Sequence, residues 1–465
     1  MGATEWELVC GLEVHVHLKT RTKMFCRCAL EYGAAENTHT CPVCLAHPGA
    51  LPVPNARAIE MTILLGLALD CEIAERAVFA RKNYFYPDLP KGYQISQYEA
   101  PLCGRGRFLL PTEDGDRGIG IVRAHLEEDA AKTVHAGGAT GRSVGADYSL
   151  VDFNRGGTPL LEIVSSPDLR SADEAVAYLR LLRQTIVELG VSDADMEKGT
   201  LRADVNVSVR RAGEEGFRPR WEIKNMNSFR FIGRAIEASF RQQVEAHETG
   251  EEVVQSTYDY EPDTDRLTVH RSKEEADDYR YFPEPDLVPV EPSAELVERL
   301  RREVPAPPAE RIRRLAAELG FASAAELVTT GNDWKAELLV AEGLDPKTAA
   351  AIAMNREDFL RGNAAALVQI VQANVTREAL DEAFAAAADG LINAEEYLSQ
   401  VAVSDESELE PIIDSVVAAH PEQVETYRGG KEGVLGFLVG QVMRETQGKA
   451  DAKVVNRLLR EKLRG

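Results

Sequence analysis

The sequence predicts an α+β protein: a sheet-built N-terminal domain over residues 1–292, a helical domain over 293–405 and a small helical tail over 406–465. Three observations predict it. Several N-terminal stretches alternate apolar and polar residues with the period of two that a half-buried strand requires. From Ser293 onward those signals vanish, and Ala, Glu, Leu and Arg dominate, interrupted only by PAPP (305–308), Gly and Asn. The length of 465 residues exceeds what one hydrophobic core holds, so two or three domains are expected.

The first strand is WELVCGLEVHVHLK (6–19). Trp6, Leu8, Cys10, Leu12, Val14, Val16 and Leu18 form an unbroken apolar row, and Glu13, His15, His17 and Lys19 point the other way. Neighbours on one face stand about 6.6 Å apart, so one ligand could touch two of them. The alternative is a wet strand face. Four cysteines follow, Cys26, Cys28, Cys41 and Cys44, in the pattern C-R-C and C-P-V-C. Four thiolates able to converge suit tetrahedral structural zinc and leave no open catalytic position. The alternative is four free thiols in a loop.

A helix fits Ala56 to Leu69. RKNYFYPDLPKGYQISQYEAPLC (81–103) carries Arg81, Lys82 and Lys91 among aromatics and reads as an ordered loop, suited to an anionic or planar ligand or else packed on the core. GIGIVRAHLEEDAAK (118–132) begins as a strand, with Ile119, Ile121, Arg123, His125 and Glu127 on one face, and ends in Glu127, Glu128 and Asp129. Two carboxylates 4 Å apart repel by about 4 kcal/mol at an effective dielectric near 20. A divalent cation such as Mg²⁺ removes that cost; a solvated acidic turn is the other reading. Gly156-Gly157 lets backbone approach a ligand, and Glu162 interrupts an apolar strand.

Ser171 and Glu174 make a capping box for a helix over 171–190. LRADVNVSVR (201–210) is a second two-faced strand with Arg202, Asp204 and Asn206 on its polar side, and WEIKNMNSF (221–229) continues the pattern with Glu222 and Lys224. A helix over 228–247 follows. The segment to Pro292 reads as a Pro-rich strap without periodicity. SDESELEP (404–411) marks a further boundary, and from Arg444 the tail holds seven Lys/Arg against three Asp/Glu. That reversal suits an RNA foothold or a basic helix end.

Composition narrows the function classes. The net charge of −23 argues against wholesale coating of nucleic acid, and no segment approaches 18 apolar residues. The N-terminus lacks the apolar run of a signal peptide, so a cytoplasmic location is expected, with the 7 cysteines free or metal-bound. No phosphate loop, dinucleotide fingerprint or nucleophile elbow is present. A nucleotide would have to be handled by an open sheet and metal ions.

Seven motifs in order, GLEVHVHLKT, RKNYFYPDLPKGYQISQ, HLEEDAAK, DFNRGGTPLLEIVSSPD, LRADVNVSV, EIKNMNSF and DDYRYFPEPDL, resemble the GatB family, the B subunits of aspartyl/glutamyl-tRNA amidotransferases. The tail GQVMRETQGKA is similar to its tRNA-binding tail domain. The resemblance implies a catalytic cradle with a glutamine-synthetase-like antiparallel sheet. It implies ATP-dependent phosphorylation of the side-chain carboxylate of misacylated Glu-tRNA(Gln) or Asp-tRNA(Asn). Amidation follows, by ammonia from an amidase-type glutaminase (the A subunit), and a small third partner (the C subunit) completes a heterotrimer. No membrane or DNA partner is implied. Carried over, the catalytic positions are Glu13, His15, Glu127, Glu128 and Glu162, with Mg²⁺ at His15, Glu127, Glu128 and Glu162. Arg81, Lys82, Tyr84, Lys91, Arg155, Arg202, Asp204, Asn206, Glu222 and Lys224 are the expected ATP and substrate contacts. The zinc knuckle is not universal in the family; here all four thiols are present. The other reading is a non-catalytic tRNA-binding scaffold within such a complex.

Overall fold

A computed structural model describes residues 5–137, 146–272, 279–356, 358–373, 375, 377–400, 406–429, 431–446, 450 and 452–464. The start of the DDYRYFPEPDL motif (277–278), the first two residues of SDESELEP and the 447–449 part of the tail motif lie outside them. Two compact units divide the chain, Met1–Arg314 and Leu315–Gly465.

The first unit is organised on thirteen strands among the described residues: β1 (Trp6–His17), β2 (Ala80–Asn83), β3 (Tyr93–Ser96), β4 (Gly106–Thr112), β5 (Gly115–Glu128), β6 (Lys132–Ala136), β7 (Tyr148–Asp152), β8 (Pro159–Ser165), β9 (Leu201–Arg211), β10 (Trp221–Lys224), β11 (Ser256–Glu261), β12 (Arg266–Ser272) and β13 (Phe282–Pro283). Eight of them form one sheet in the order β12-β11-β10-β9-β1-β8-β5-β4; β13-β2-β3 and β6-β7 form two smaller ones. The large sheet is antiparallel except for the β10–β11 pair, which is parallel.

β1 lies at the centre because both of its faces have work. Its apolar row, with Leu12, Val14 and Val16, is buried together with Leu126, Ile163 and Val207 from the neighbouring strands. Helices α2 (Ala172–Glu188) and α3 (Phe229–Thr249) pack on each other, and α3 packs on β9, while α1 (Ala56–Ala68) packs against β5. Their starts follow the sequence: Asn55, Ser171 and Ser228 each accept hydrogen bonds from first-turn backbone N–H groups. Glu174 departs from the reciprocal capping box. Its carboxylate accepts from the Arg170 amide at 2.8 Å and pairs with Arg117 instead.

The structure corrects three expectations. The 81–103 segment is not a plain loop, because it holds most of β2 and all of β3, and β2 pairs with both β3 and β13. The strap before Pro292 contains the hairpin β11–β12, closed by the 262–265 turn. In β5 the register shifts between Ile121 and Arg123, a bulge that spends one extra residue. Ile119 and Ile121 are therefore buried in the core, while Arg123, His125 and Glu127 face the polar side.

After β13 the described elements are all helical, beginning with Ala294, which follows the capping Ser293. The first unit nonetheless continues to Arg314, through α4 (Ala294–Arg301) and into α5 (Pro308–Leu319). Arg311 holds Glu188 of α2 with two bonds of 2.6 and 2.8 Å, and Arg313 holds Asp116 at 2.6 Å. In the second unit, α6 (Phe321–Thr329) to α11 (Ala394–Gln400) include a core with Leu339, Leu367, Ile370 and Phe384. α12 (Glu406–Ala419) to α15 (Ala452–Arg464) bury another around Ile413, Leu438, Val442 and Leu459.

Candidate active site

Strand register alone assembles the polar face. Glu13 stands opposite Asp204 of β9 and Val164 of β8. One step along, His15 stands opposite Arg202 and Glu162, and Glu162 stands opposite His125 of β5. One step further, His17 faces Leu160, which faces Glu127. Glu162 thus sits between two imidazoles, 3.3 Å from His15 Nε2 and 3.7 Å from His125 Nε2. Glu127 approaches from the same strand as His125, 3.9 Å from its Nε2, and accepts a hydrogen bond from Ser96 at 3.2 Å.

Low exposure makes this group electrostatically tense. Burial disfavours a charged His15, but the hydrogen bond and charge of Glu162 outweigh it and push the imidazole up to about 9. Burial drives His125 down to about 4. Burial and then the charge of Glu162 raise Glu127 to about 7. Against its own burial, Glu162 is held well below the usual carboxylate range, by His125 and His15 first. Groups pushed apart this way mark a site built for chemistry or for a cation. One ligand atom each from His15, Glu127 and Glu162 lies within 4.8 Å of the others. Two carboxylates and an imidazole on one side could hold a divalent cation and leave its remaining positions to water or phosphate oxygens.

The three acids of HLEED do not share a site. Glu127 joins His15 and Glu162. Glu128 points away: Lys91 binds it at 2.6 Å, and the Ile95 amide donates to it at 3.0 Å. Asp129 accepts from His17 at 2.7 Å and from Arg202 at 3.0 Å, with Arg155 at 3.5 Å. Each charge is thus neutralised by a different partner set, and repulsion among the three is not what calls for a cation. Strand parity separates Glu127 from Glu128, and the end of β5 separates both from Asp129. Because the Lys91 and Glu128 side chains are both largely buried, Lys91→Ala is expected to leave a carboxylate without its cation and to cost about 3–5 kcal/mol. A thermal unfolding midpoint equal to the wild type would contradict that assignment.

The other expected contacts divide into three sets. Asn206 donates to Glu13 at 3.0 Å, and Lys224 pairs with Asp204 and, at 3.1 Å, with Glu222. These five line the polar face beside the trio. Lys82 and Tyr84 lie on the Glu127 side, where burial first and then the charge of Glu127 push the Tyr84 phenol up. Arg81 is committed elsewhere, bound to Glu284 by two bonds of 2.7 Å. His125 and Asp129 join the site in roles the sequence did not assign: it placed His125 only on a strand face with Glu127, and Asp129 only in an acidic cluster. The signal for His125 was its place two residues before Glu127 on an alternating strand. For Asp129 the sequence offered the cluster but not the partners, which come from β1, β9 and the β7–β8 connection.

The cysteines converge as expected. One sulfur from each of Cys26, Cys28, Cys41 and Cys44 lies within 4.8 Å of the others. Tetrahedral zinc, with Zn–S near 2.3 Å, needs sulfurs about 3.8 Å apart, so the set fits. The Cys41 amide donates to Cys44 Sγ at 3.2 Å, and buried Lys23 Nζ lies 3.6 Å from that sulfur. A hydrogen bond from Cys26 comes first among the causes that pull the Cys44 thiol down to about 4. Of the glycine pair, Gly157 adjoins this knuckle: it adopts φ +87°, and a Cβ there would stand 3.4 Å from Lys23 and 3.9 Å from Cys44.

Two family models match the chain: the GatB/GatE catalytic domain over residues 8–298 and the GatB domain over residues 394–463. Curated relatives resemble it from end to end. The B subunit of the aspartyl/glutamyl-tRNA(Asn/Gln) amidotransferase of Anaeromyxobacter sp. (strain K) is 48% identical over 491 residues, covering 100% of both chains. The B subunit of the same name from Geobacter sulfurreducens is 47% identical over 99% of this chain and 100% of its own. That from Persephonella marina is 44% identical over the same shares.

Proposed function

The chain belongs to the GatB family, and from that premise we propose that it is the synthetase subunit of a tRNA-dependent amidotransferase, converting Glu-tRNA(Gln), Asp-tRNA(Asn) or both to the amide form. A γ- or β-carboxylate oxygen of the tRNA-bound amino acid attacks the terminal phosphorus of ATP, and ADP leaves. Ammonia then attacks the acyl carbon, and inorganic phosphate leaves with the oxygen. The ammonia comes from an amidase-type glutaminase partner, with a small third partner in the same complex and the reaction in the cytoplasm. Among the described residues no helix is long and apolar enough to cross a membrane.

The observation that carries this reading is the register that sets Glu162 between His15 and His125, beside Glu127. His15, Glu127 and Glu162 would hold Mg²⁺, which when bound supplies charge neutralisation to the phosphates. Asp129 fixes the half-exposed guanidinium groups of Arg202 and Arg155, so that cations face incoming phosphate at little cost in reorganisation. The Glu13–Asn206 and Lys224–Asp204 pairs fix polar groups where the amino-acid carboxylate and the nucleotide would dock. Zinc in the four-cysteine knuckle is structural. Glu13 and Glu128 remain in the catalytic assignment through the family motif, Glu128 acting through its pair with Lys91.

The test is a complex coexpressed with the partner proteins, supplied with misacylated tRNA, ATP and ammonium ions. Glu127→Gln is expected to abolish ADP formation and amidation together. Unchanged amidation would leave only the scaffold reading.

A further inference from the structure

His125 stands beside the His15–Glu127–Glu162 trio without belonging to it. It projects from β5 and is 3% exposed. Both of its ring nitrogens face charged groups. The Arg123 Nε–H donates to Nδ1 at 3.3 Å. On the other side, Nε2 stands 3.7 Å from Glu162 Oε2 and 3.9 Å from Glu127 Oε2. Each of those oxygens has another neighbour: His15 Nε2 lies 3.3 Å from the first, and the Ser96 hydroxyl donates to the second at 3.2 Å. Arg123 decides which nitrogen of His125 carries the proton. A guanidinium stays protonated and can only donate, so Nδ1 must accept with its lone pair. A neutral imidazole has one N–H, which is therefore on Nε2, between the two carboxylates. A nitrogen in that state has no lone pair to offer a metal ion.

We propose that His125 is a positioning residue and not a metal ligand: its Nε2–H orients Glu162 and Glu127 for a divalent cation, and Arg123 fixes the tautomer that lets it do so. The inference rests on the reading above, in which His15, Glu127 and Glu162 would hold that cation. Ligating carboxylates need outer partners that hold their angle, and such partners tune affinity strongly. At 3.7 and 3.9 Å the N–H attracts both oxygens without a full hydrogen bond to either, so neither carboxylate is withdrawn from the ion. A neutral donor also suits this place better than a lysine would. It draws on both carboxylates while adding no positive charge to repel the cation.

The experiment titrates the full complex with Mn²⁺ and records both the affinity and the coupling of the ion to imidazole nitrogen. His125→Leu is expected to weaken manganese binding about 10- to 100-fold, while the coupling to one nitrogen, that of His15, persists. His125→Gln can bring an amide N–H to the place of Nε2, and it is expected to recover most of the affinity. A merely structural role would not separate Leu from Gln in this way, and a thermal melt of each variant checks folding. Unchanged affinity in His125→Leu would overturn the proposal, as would equal weakening by Leu and Gln. Loss of the nitrogen coupling in either variant would make His125 the ligand and overturn it too. If His125→Leu does not fold, His125→Gln decides alone: affinity near the wild type with the coupling kept supports the role, and loss of either overturns it. Failure of the broader reading looks different, since the wild-type complex itself would then hold no manganese with nitrogen coupling.

Discussion

Glu162→Gln is expected to lower ATP-dependent amidation by about 10³-fold or more, while the protein stays folded. The substitution keeps the size of the side chain and an acceptor oxygen for His15. It removes the one negative charge that lies between His15 and His125. His15 then loses the partner that pushes it up to about 9, and the trio loses a carboxylate a cation would need. Binding of tRNA should change little, because the substitution alters one largely buried side chain and leaves the rest of the surface as it was. Single-turnover amidation and a thermal melt measured side by side check this. Wild-type rates in the variant, or an unfolded variant, would each contradict the assignment.

Removing one thiol of the knuckle gives the second large effect. Cys44→Ser is expected to reduce bound zinc from about one equivalent to near zero and to expose the amides of residues 20–55 to hydrogen exchange. Among the described residues this segment holds neither an α-helix nor a strand longer than the isolated Thr22–Ala29 bridge. Met24 and Phe25 are its buried apolar anchors. Hydrogen bonds from the Asn37 and His39 amides to Asp152 and Asn154 tie part of it down, and the proposed zinc cross-link would add the larger share, since structural zinc sites in isolated peptides contribute about 10–16 kcal/mol. Elemental analysis and exchange mass spectrometry read both effects. Less than about half an equivalent of zinc in wild-type protein purified without chelator would contradict the structural role.

Much of the sheet was legible because its strands have one buried face. The alternation in β1 and β9 placed Glu13, His15, Asp204 and Asn206 on one side, and the lone acid of β8 placed Glu162 there as well. What the period of two cannot show is where it is interrupted. The bulge in β5 moved Ile119 and Ile121 to the core while leaving His125 and Glu127 outside it, and no residue type announces that step. The same blindness treated Glu127, Glu128 and Asp129 as one acidic cluster, although consecutive strand residues must point apart. β2 and β3 are four residues each, too short for periodicity to register, and Pro262 made the β11–β12 hairpin look like part of a strap. Helix starts were readable at Ser171, Ser228 and Ser293 because a cap is a local signal. Partners drawn from distant strands, such as those of Asp129, have no local signature at all.

Three β-strands bring one imidazole and two carboxylates to where a single divalent cation would bind. Titrating the complex with Mn²⁺ and recording its electron spin-echo spectrum tests it most directly. One tight site with a single coordinated imidazole nitrogen is expected, lost in His15→Ala and strongly weakened in Glu127→Gln. An ion bound equally well by all three proteins, with no nitrogen coupling, would contradict it.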